Sequence, residues 1–203
     1  EKYGADSLRL FILFASPPEK EFIWNDEGID GGYRFLNRLW ATMQDNLFLF
    51  KQKSSPREET GIEKKVSKLR IKMHQTIKKV SDDIDKRYHL NTAISSIMEF
   101  YNLIKKEKET LSQSVRGKNL LRESLENLVL LLSPFAPHLC EELWERMGHK
   151  TFLIHSRWPS FDPDLATEEK ITIVVQVNGK LRDKFEAERD LAEDKIKEMA
   201  LGS

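Results

Sequence analysis

The sequence predicts a mainly α protein, a helical bundle followed by a small α+β piece made of a β-hairpin and a helix. Three observations carry this expectation. Apolar residues recur at helical spacing through five successive segments before residue 150. Proline, glycine and short polar residues punctuate those segments where helix ends belong. Beyond residue 170 the apolar period changes from 3.6 to 2.

Residues 5–14, ADSLRLFILF, read as a largely buried helix or helix–strand element. Ser16-Pro17-Pro18 ends it, because the second proline disfavours helical geometry in the first. No cap or turn precedes this element, so the chain opens as if inside a longer protein. From about Asp26 to Phe50, Leu36, Leu39, Trp40, Met43, Leu47 and Phe50 gather on one side of a helix, with Arg34, Arg38 and Asp45 opposite. Ser54-Ser55-Pro56 with Gly61 reads as a loop. Val66, Leu69, Met73, Ile77, Val80 and Ile84 then form the seam of a second helix. Asn91 is a good N-cap for a third helix through Ile94, Ile97, Met98, Tyr101 and Ile104. Leu121, Leu125, Leu128 and Leu132 mark a fourth, stopped by Pro134. Pro137 suits the first turn of a fifth, whose apolar positions are Leu139, Cys140, Leu143, Trp144 and Met147, with Gly148 at its end. In the hairpin Ile171, Ile173, Val175 and Val177 alternate, and Asn178-Gly179 supplies the turn. A three-residue bulged loop is expected, because it keeps Leu181 and Phe185 beside apolar partners. A last helix from about Asp190 to Leu201 completes a unit too small to stand alone.

Composition limits the function classes. The chain has 203 residues, 39% hydrophobic and 33% charged, which suits one large or two small domains with a real core. It has no apolar run of the roughly 18 residues a membrane span needs and no secretory N-terminus, so a soluble protein with no membrane partner is expected. Cys140 stands alone, which excludes an intramolecular disulfide, leaves too few thiols for a zinc site and suits the reducing cytoplasm. The 33 basic and 33 acidic residues cancel overall but not locally. Residues 51–90 carry 12 Lys/Arg against 6 Asp/Glu, and 101–122 carry 6 against 2, whereas 123–169 carry 3 against 9. A basic middle favours a polyanionic partner, with nucleic acid foremost.

Little in the sequence points to catalysis. It contains no glycine-rich phosphate loop, no nucleophile elbow and no zinc-spaced His and acid pair. His138 and Glu142 share a helix face at i, i+4, but a ligand pair needs a third donor. Carboxylates early in a helix are already explained by its dipole, so no metal site and no catalytic residue is assigned. The basic residues are better candidates. With Val66 as zero, Lys64, Lys65, Lys68, Lys72 and Lys79 fall in a sector of about 100° away from the seam. Such a face attracts phosphates without reading sequence, and equally suits a solvated surface. Arg34 and Arg38, one turn apart, form a smaller case. Phe22, Trp24 and Tyr33 could stack on bases but are more often core or loop anchors.

The ordered motifs carry a resemblance. Tyr3-Gly4-Ala5-Asp6 with Arg9, then Ser16-Pro17-Pro18, then Gly32-Tyr33-Arg34-Phe35-Leu36-Asn37-Arg38-Leu39-Trp40, resemble the stretch after the Lys-Met-Ser-Lys-Ser loop of class I aminoacyl-tRNA synthetases for aliphatic amino acids. Asn91-Thr92-Ala93-Ile94 and Pro134-Phe135-Ala136-Pro137-His138 with Glu141-Glu142-Leu143-Trp144 are similar to later marks of their helical anticodon-binding domain. Ser16-Pro17-Pro18-Glu19-Lys20-Glu21 and Val174-Val175-Gln176-Val177-Asn178-Gly179-Lys180-Leu181-Arg182 are most similar to the bacterial leucyl-tRNA synthetase family, with the valyl and isoleucyl families as alternatives. Lys65-Val66-Ser67-Lys68 only faintly resembles the phosphate-holding loop, since Val66 belongs to a helical seam and the lysines would diverge.

The resemblance implies a class I synthetase anticodon-binding bundle within a ligase that joins leucine to tRNA(Leu) with ATP and Mg. It implies residues 1–25 as the end of the stem-contact segment, 26–160 as the tRNA-binding bundle and 161–203 as the start of a C-terminal α+β domain. The catalytic and editing domains lie elsewhere in such an enzyme, so this piece is expected to need no cofactor and to be inactive alone. Asp6 and Arg9 are expected to hold the first element. Arg34, Arg38 and the Lys64 to Lys79 face are expected to approach the tRNA backbone. A helical protein-docking module with no RNA role remains a rival reading.

Overall fold

The computed structural model describes residues 2–16, 21, 24, 26–51, 63–167, 170–177 and 180–188, and only the backbone of 26, 63–67, 170–177 and 180–188. The expected loop around Ser54-Ser55-Pro56, the Pro17-Pro18 break and the helix from Asp190 lie outside the described residues. The chain divides into two compact units, Glu1–Ala166 and Thr167–Ser203.

The first unit is built from α1 (Gly4–Ala15), α2 (Asp26–Asn46), the short α3 (Phe48–Lys51), α4 (Glu63–Asp82), α5 (Leu90–Leu111), α6 (Val115–Leu132) and α7 (Pro137–Arg146). Its core is a continuous cluster that takes one stripe from each long helix. Leu36, Leu39 and Met43 come from α2, and Leu69, Met73, Ile77 and Val80 from α4. Ile94, Ile97, Phe100, Tyr101 and Ile104 come from α5, and Leu121, Leu125, Leu128 and Leu132 from α6. These are the positions that helical periodicity selects, and burying each large apolar side chain contributes about 1.5–3 kcal/mol. The Tyr101 hydroxyl is buried without penalty because it hydrogen-bonds Thr42 Oγ1 at 3.0 Å.

The α4–α5 reversal differs from expectation. Helix α4 ends in a π turn, Asp83–Arg87, and Tyr88 then adopts a left-handed conformation with φ of 55°. Helix α5 begins at Leu90 with His89 as its N-cap, so Asn91 is inside the first turn and is not the cap. Asp83, 1% exposed, replaces the expected cap. Its carboxylate accepts the Thr92 hydroxyl at 2.5 Å, and its carbonyl accepts the His89 amide at 2.9 Å. A buried carboxylate needs such partners, and they lock the reversal.

At the α5–α6 turn Ser114 is the cap, accepting the Gly117 amide at 2.9 Å. Gly117 has no Cβ because the Leu111 backbone occupies that space. Pro137 occupies the first turn of α7, and Gly148 follows the helix with φ of +97°. Past α7, Leu153–His155 form one 3-10 turn, and the chain returns along α4. Trp158 Nε1 donates to Ser81 Oγ at 2.8 Å, and the Asp162 amide donates to His74 Nδ1 at 3.1 Å. Phe161 packs on the core and Ala166, the last residue of the first compact unit, is buried.

In the second unit β1 (Lys170–Val177) pairs antiparallel with β2 (Lys180–Glu188). Val177 faces Lys180, so two residues, not three, separate the strands. The irregularity lies inside β2, where Leu181 faces Gln176 and Asp183 faces Val175, with Arg182 left over. That extra residue restores the pairing of Ile173 with Phe185, the apolar match the pattern required.

Candidate nucleic-acid interface

Helix α2 presents its polar side to solvent because Phe35, Leu36, Leu39 and Met43 take the other side into the core. Arg34 and Arg38 stand exposed on that polar side, one turn apart, and among the described residues neither makes an ion pair. Their neighbours Tyr33, Asn37 and Trp40 face a cleft that also contains Tyr3, Asp6 and His138. Arg146 of α7 lies over the Trp40 ring, 4.8 Å from its centre, which holds another cation at the same end of the molecule.

The lysine face of α4 is less open than its sequence pattern. Lys68 is exposed. Lys72 donates to Glu99 of α5 at 2.8 Å and is one-third exposed. Lys79 lies 3.9 Å from the buried Asp83 carboxylate. Lys64 and Lys65 are in the first turn of α4, and their side chains lie outside the described residues. The face is therefore partly neutralised by acids that come from α5 and the π turn. Of the expected cations whose side chains are described, Arg34, Arg38 and Lys68 are the exposed ones with no ion pair among the described residues.

The residues expected to hold α1 do so. Arg9 Nε donates to the Pro134 carbonyl at 2.9 Å. The Asp6 carboxylate accepts the Leu139 amide at 2.7 Å and His138 Nδ1 at 2.8 Å, filling the N-terminus of α7 from another helix. In the structure His138 is turned to Asp6, and Glu142 accepts Arg146 Nε at 2.6 Å. No group of three metal-ligating side chains occurs among the described residues. Burial, reinforced by Asp6 and Glu141, pushes the Cys140 thiol well above its usual range, so it is not a ready nucleophile.

Of the three aromatic candidates, Trp24 is exposed and sets its ring edge-on to Phe11 at 5.5 Å. Tyr33 is 40% exposed and packs edge-on to Tyr3 at 5.7 Å. Phe22 lies outside the described residues. The cleft beside Tyr33 escaped the sequence reading because its walls come from three helices. The one available signal was the i, i+4, i+7 series Tyr33, Asn37 and Trp40 beside the arginines.

Residues 67–197 match the family of the anticodon-binding domain of tRNA ligase. With its all-helical first unit and cation-bearing outer faces, the chain belongs to that family of anticodon-binding domains. The relatives it matches are leucine–tRNA ligases. It is 44% identical over 202 residues to that of Geobacter sp. (strain M21), covering 99% of this chain and 24% of the relative. It is 46% identical over 199 residues to that of Lawsonia intracellularis (strain PHE/MN1-00), covering 96% of this chain and 24% of the relative. The fold is also similar to that of Agrobacterium radiobacter K84 agnB2 LeuRS, solved as a ternary complex with tRNA and LeuAMS. That likeness has a TM-score of 0.71 at 30% identity, over 100% of this chain and 25% of that one. The chain thus spans about a quarter of the length of the proteins it matches. No helix among the described residues is long and apolar enough to cross a membrane.

Proposed function

We propose that this chain is the tRNA-binding portion of a cytoplasmic leucine–tRNA ligase, whose whole protein joins leucine to tRNA(Leu) using ATP and Mg. Similarity to leucine–tRNA ligases over 99% of the chain supports the leucine assignment. The observation that carries RNA binding is the pair Arg34 and Arg38, both exposed and without an ion-pair partner among the described residues. Cations already paired within a protein gain little from a phosphate, whereas free arginines grip it bidentately. In this reading residues 1–25 continue the stem-contact segment, 26–160 form the tRNA-binding bundle and 161–203 begin an α+β C-terminal domain. Catalysis and editing belong to the other domains of the whole protein, and this piece uses no cofactor of its own.

Titrating the chain with leucine tRNA and a non-cognate tRNA at low and moderate salt tests the reading. Binding should weaken steeply with salt, as phosphate contacts require, and should favour the leucine tRNA. No binding to either tRNA at low salt overturns the RNA role, and equal affinity overturns selectivity within this region.

A further inference from the structure

We propose that the cleft between α1, α2 and α7 captures a single unpaired nucleobase of the bound tRNA, a step that rests on the tRNA-binding reading above. The cleft is open to solvent and measures about 490 Å³, within the ~300–1,000 Å³ typical of small-ligand sites. Tyr3, Tyr33 and Trp40 form its walls. Tyr3 and Tyr33 meet edge to face at 73°, and because the Lys2 ammonium lies 4.6 Å over the Tyr3 ring, Tyr33 supplies the face on which a flat base stacks.

The polar groups at the cleft are arranged as acceptors. The Asp6 carboxylate is already committed to His138 Nδ1 and to the Leu139 amide, so it fixes the imidazole with its proton on Nδ1. In that tautomer Nε2 carries no proton and is an acceptor, and the His138 side chain is 79% exposed. Asn37 gives an Nδ2 proton to the Tyr33 carbonyl at 2.8 Å, which leaves its Oδ1 as a second acceptor. Two acceptors beside aromatic walls suit a base that brings an exocyclic amine, which means adenine, guanine or cytosine and not uracil. Arg34 and Arg38 follow Tyr33 and Asn37 by one residue each, about 100° further around α2. They are placed to hold the phosphates on either side of an extruded nucleotide. A duplex cannot supply such a base without unpairing, so the captured nucleotide belongs to a loop or a tertiary junction of the RNA.

The test uses the 203-residue chain and leucine tRNA. Tyr33→Ala should weaken binding by about tenfold, the usual scale for one lost base stack, while Tyr33→Phe keeps wild-type affinity. A benzophenone side chain introduced at position 33 should crosslink to one unpaired A, G or C, mapped as a reverse-transcription stop. Unchanged affinity in Tyr33→Ala, crosslinks spread along paired backbone, or capture of a uridine would each overturn the cleft while leaving tRNA binding intact. Failure of the wild-type chain to bind tRNA at all would overturn the underlying reading, and the cleft with it.

Discussion

Asp6 and His138, separated by 132 residues, are joined by a 2.8 Å contact in which the carboxylate of one helix closes the open end of another. The same carboxylate takes the Leu139 amide at 2.7 Å, so a single side chain satisfies α7 donors that would otherwise face solvent. Asp6→Ala should therefore lower unfolding stability by about 1–2 kcal/mol, the usual loss for a helix cap. His138→Ala should cost no more than about 0.5 kcal/mol, because its ring is largely in solvent. Urea denaturation followed by circular dichroism would rank the two, and equal losses would show that the backbone donors are not the main beneficiaries.

Arg34→Ala with Arg38→Ala should reduce the slope of log affinity against log salt by about 2, one unit for each lost phosphate contact. Lys72→Ala should change that slope little, since Lys72 already serves Glu99. Both variants should stay within about 0.5 kcal/mol of wild-type stability, because the side chains they remove are at the surface. If Lys72→Ala proves the more damaging to tRNA binding, the α4 face is the primary contact.

His74 makes the helical unit sensitive to acid. Its Nδ1 accepts the Asp162 amide at 3.1 Å and must be unprotonated to do so. Burial lowers its pKa from 6.5, with Arg70 adding to the effect and Glu123 and Asp162 opposing it. A histidine whose folded pKa is depressed is neutral in both states above about pH 6.5, and the folded state loses stability as pH falls from there through the folded value. Acidification should therefore release residues 158–162 from α4, and His74→Gln should flatten that part of the pH profile. Denaturation midpoints across pH 5 to 8, for wild type and variant, would check the sign.

Two glycines should respond oppositely to alanine. At Gly117 a methyl group would strike the Leu111 backbone, which cannot swing aside, so Gly117→Ala should cost about 2 kcal/mol or more. At Gly31, inside α2, a methyl group meets nothing within 4 Å, so Gly31→Ala should gain about 0.5–1 kcal/mol. Thermal melts of the two variants would settle both.

The helices were legible because their burial is periodic. The seam Leu69, Met73, Ile77 and Val80 is in the core as spaced, and Pro137 opens α7. The π turn was not legible, because one extra residue leaves no mark on apolar spacing, and the capping pattern at Asn91 was redirected by a buried Asp83 that no local rule anticipates. In the hairpin the demand for Ile173 opposite Phe185 was readable, but not which residue would be looped out to meet it. At the candidate interface Arg34 and Arg38 were visible as α2 residues opposite the apolar stripe. The neutralising partner of Lys72 was not, because Glu99 comes from a different helix, 27 residues on.

The π turn replaces a loop. One residue beyond the α-helical pitch advances the chain about 100° further around its axis, which re-aims it before it leaves α4. Only Tyr88 and His89 then separate that turn from α5. Their backbone is held by the Asp83 carbonyl, so there is no slack for an inserted residue or for a protease to seize. Helices α4 and α5 should consequently behave as one rigid arm, opening together or not at all.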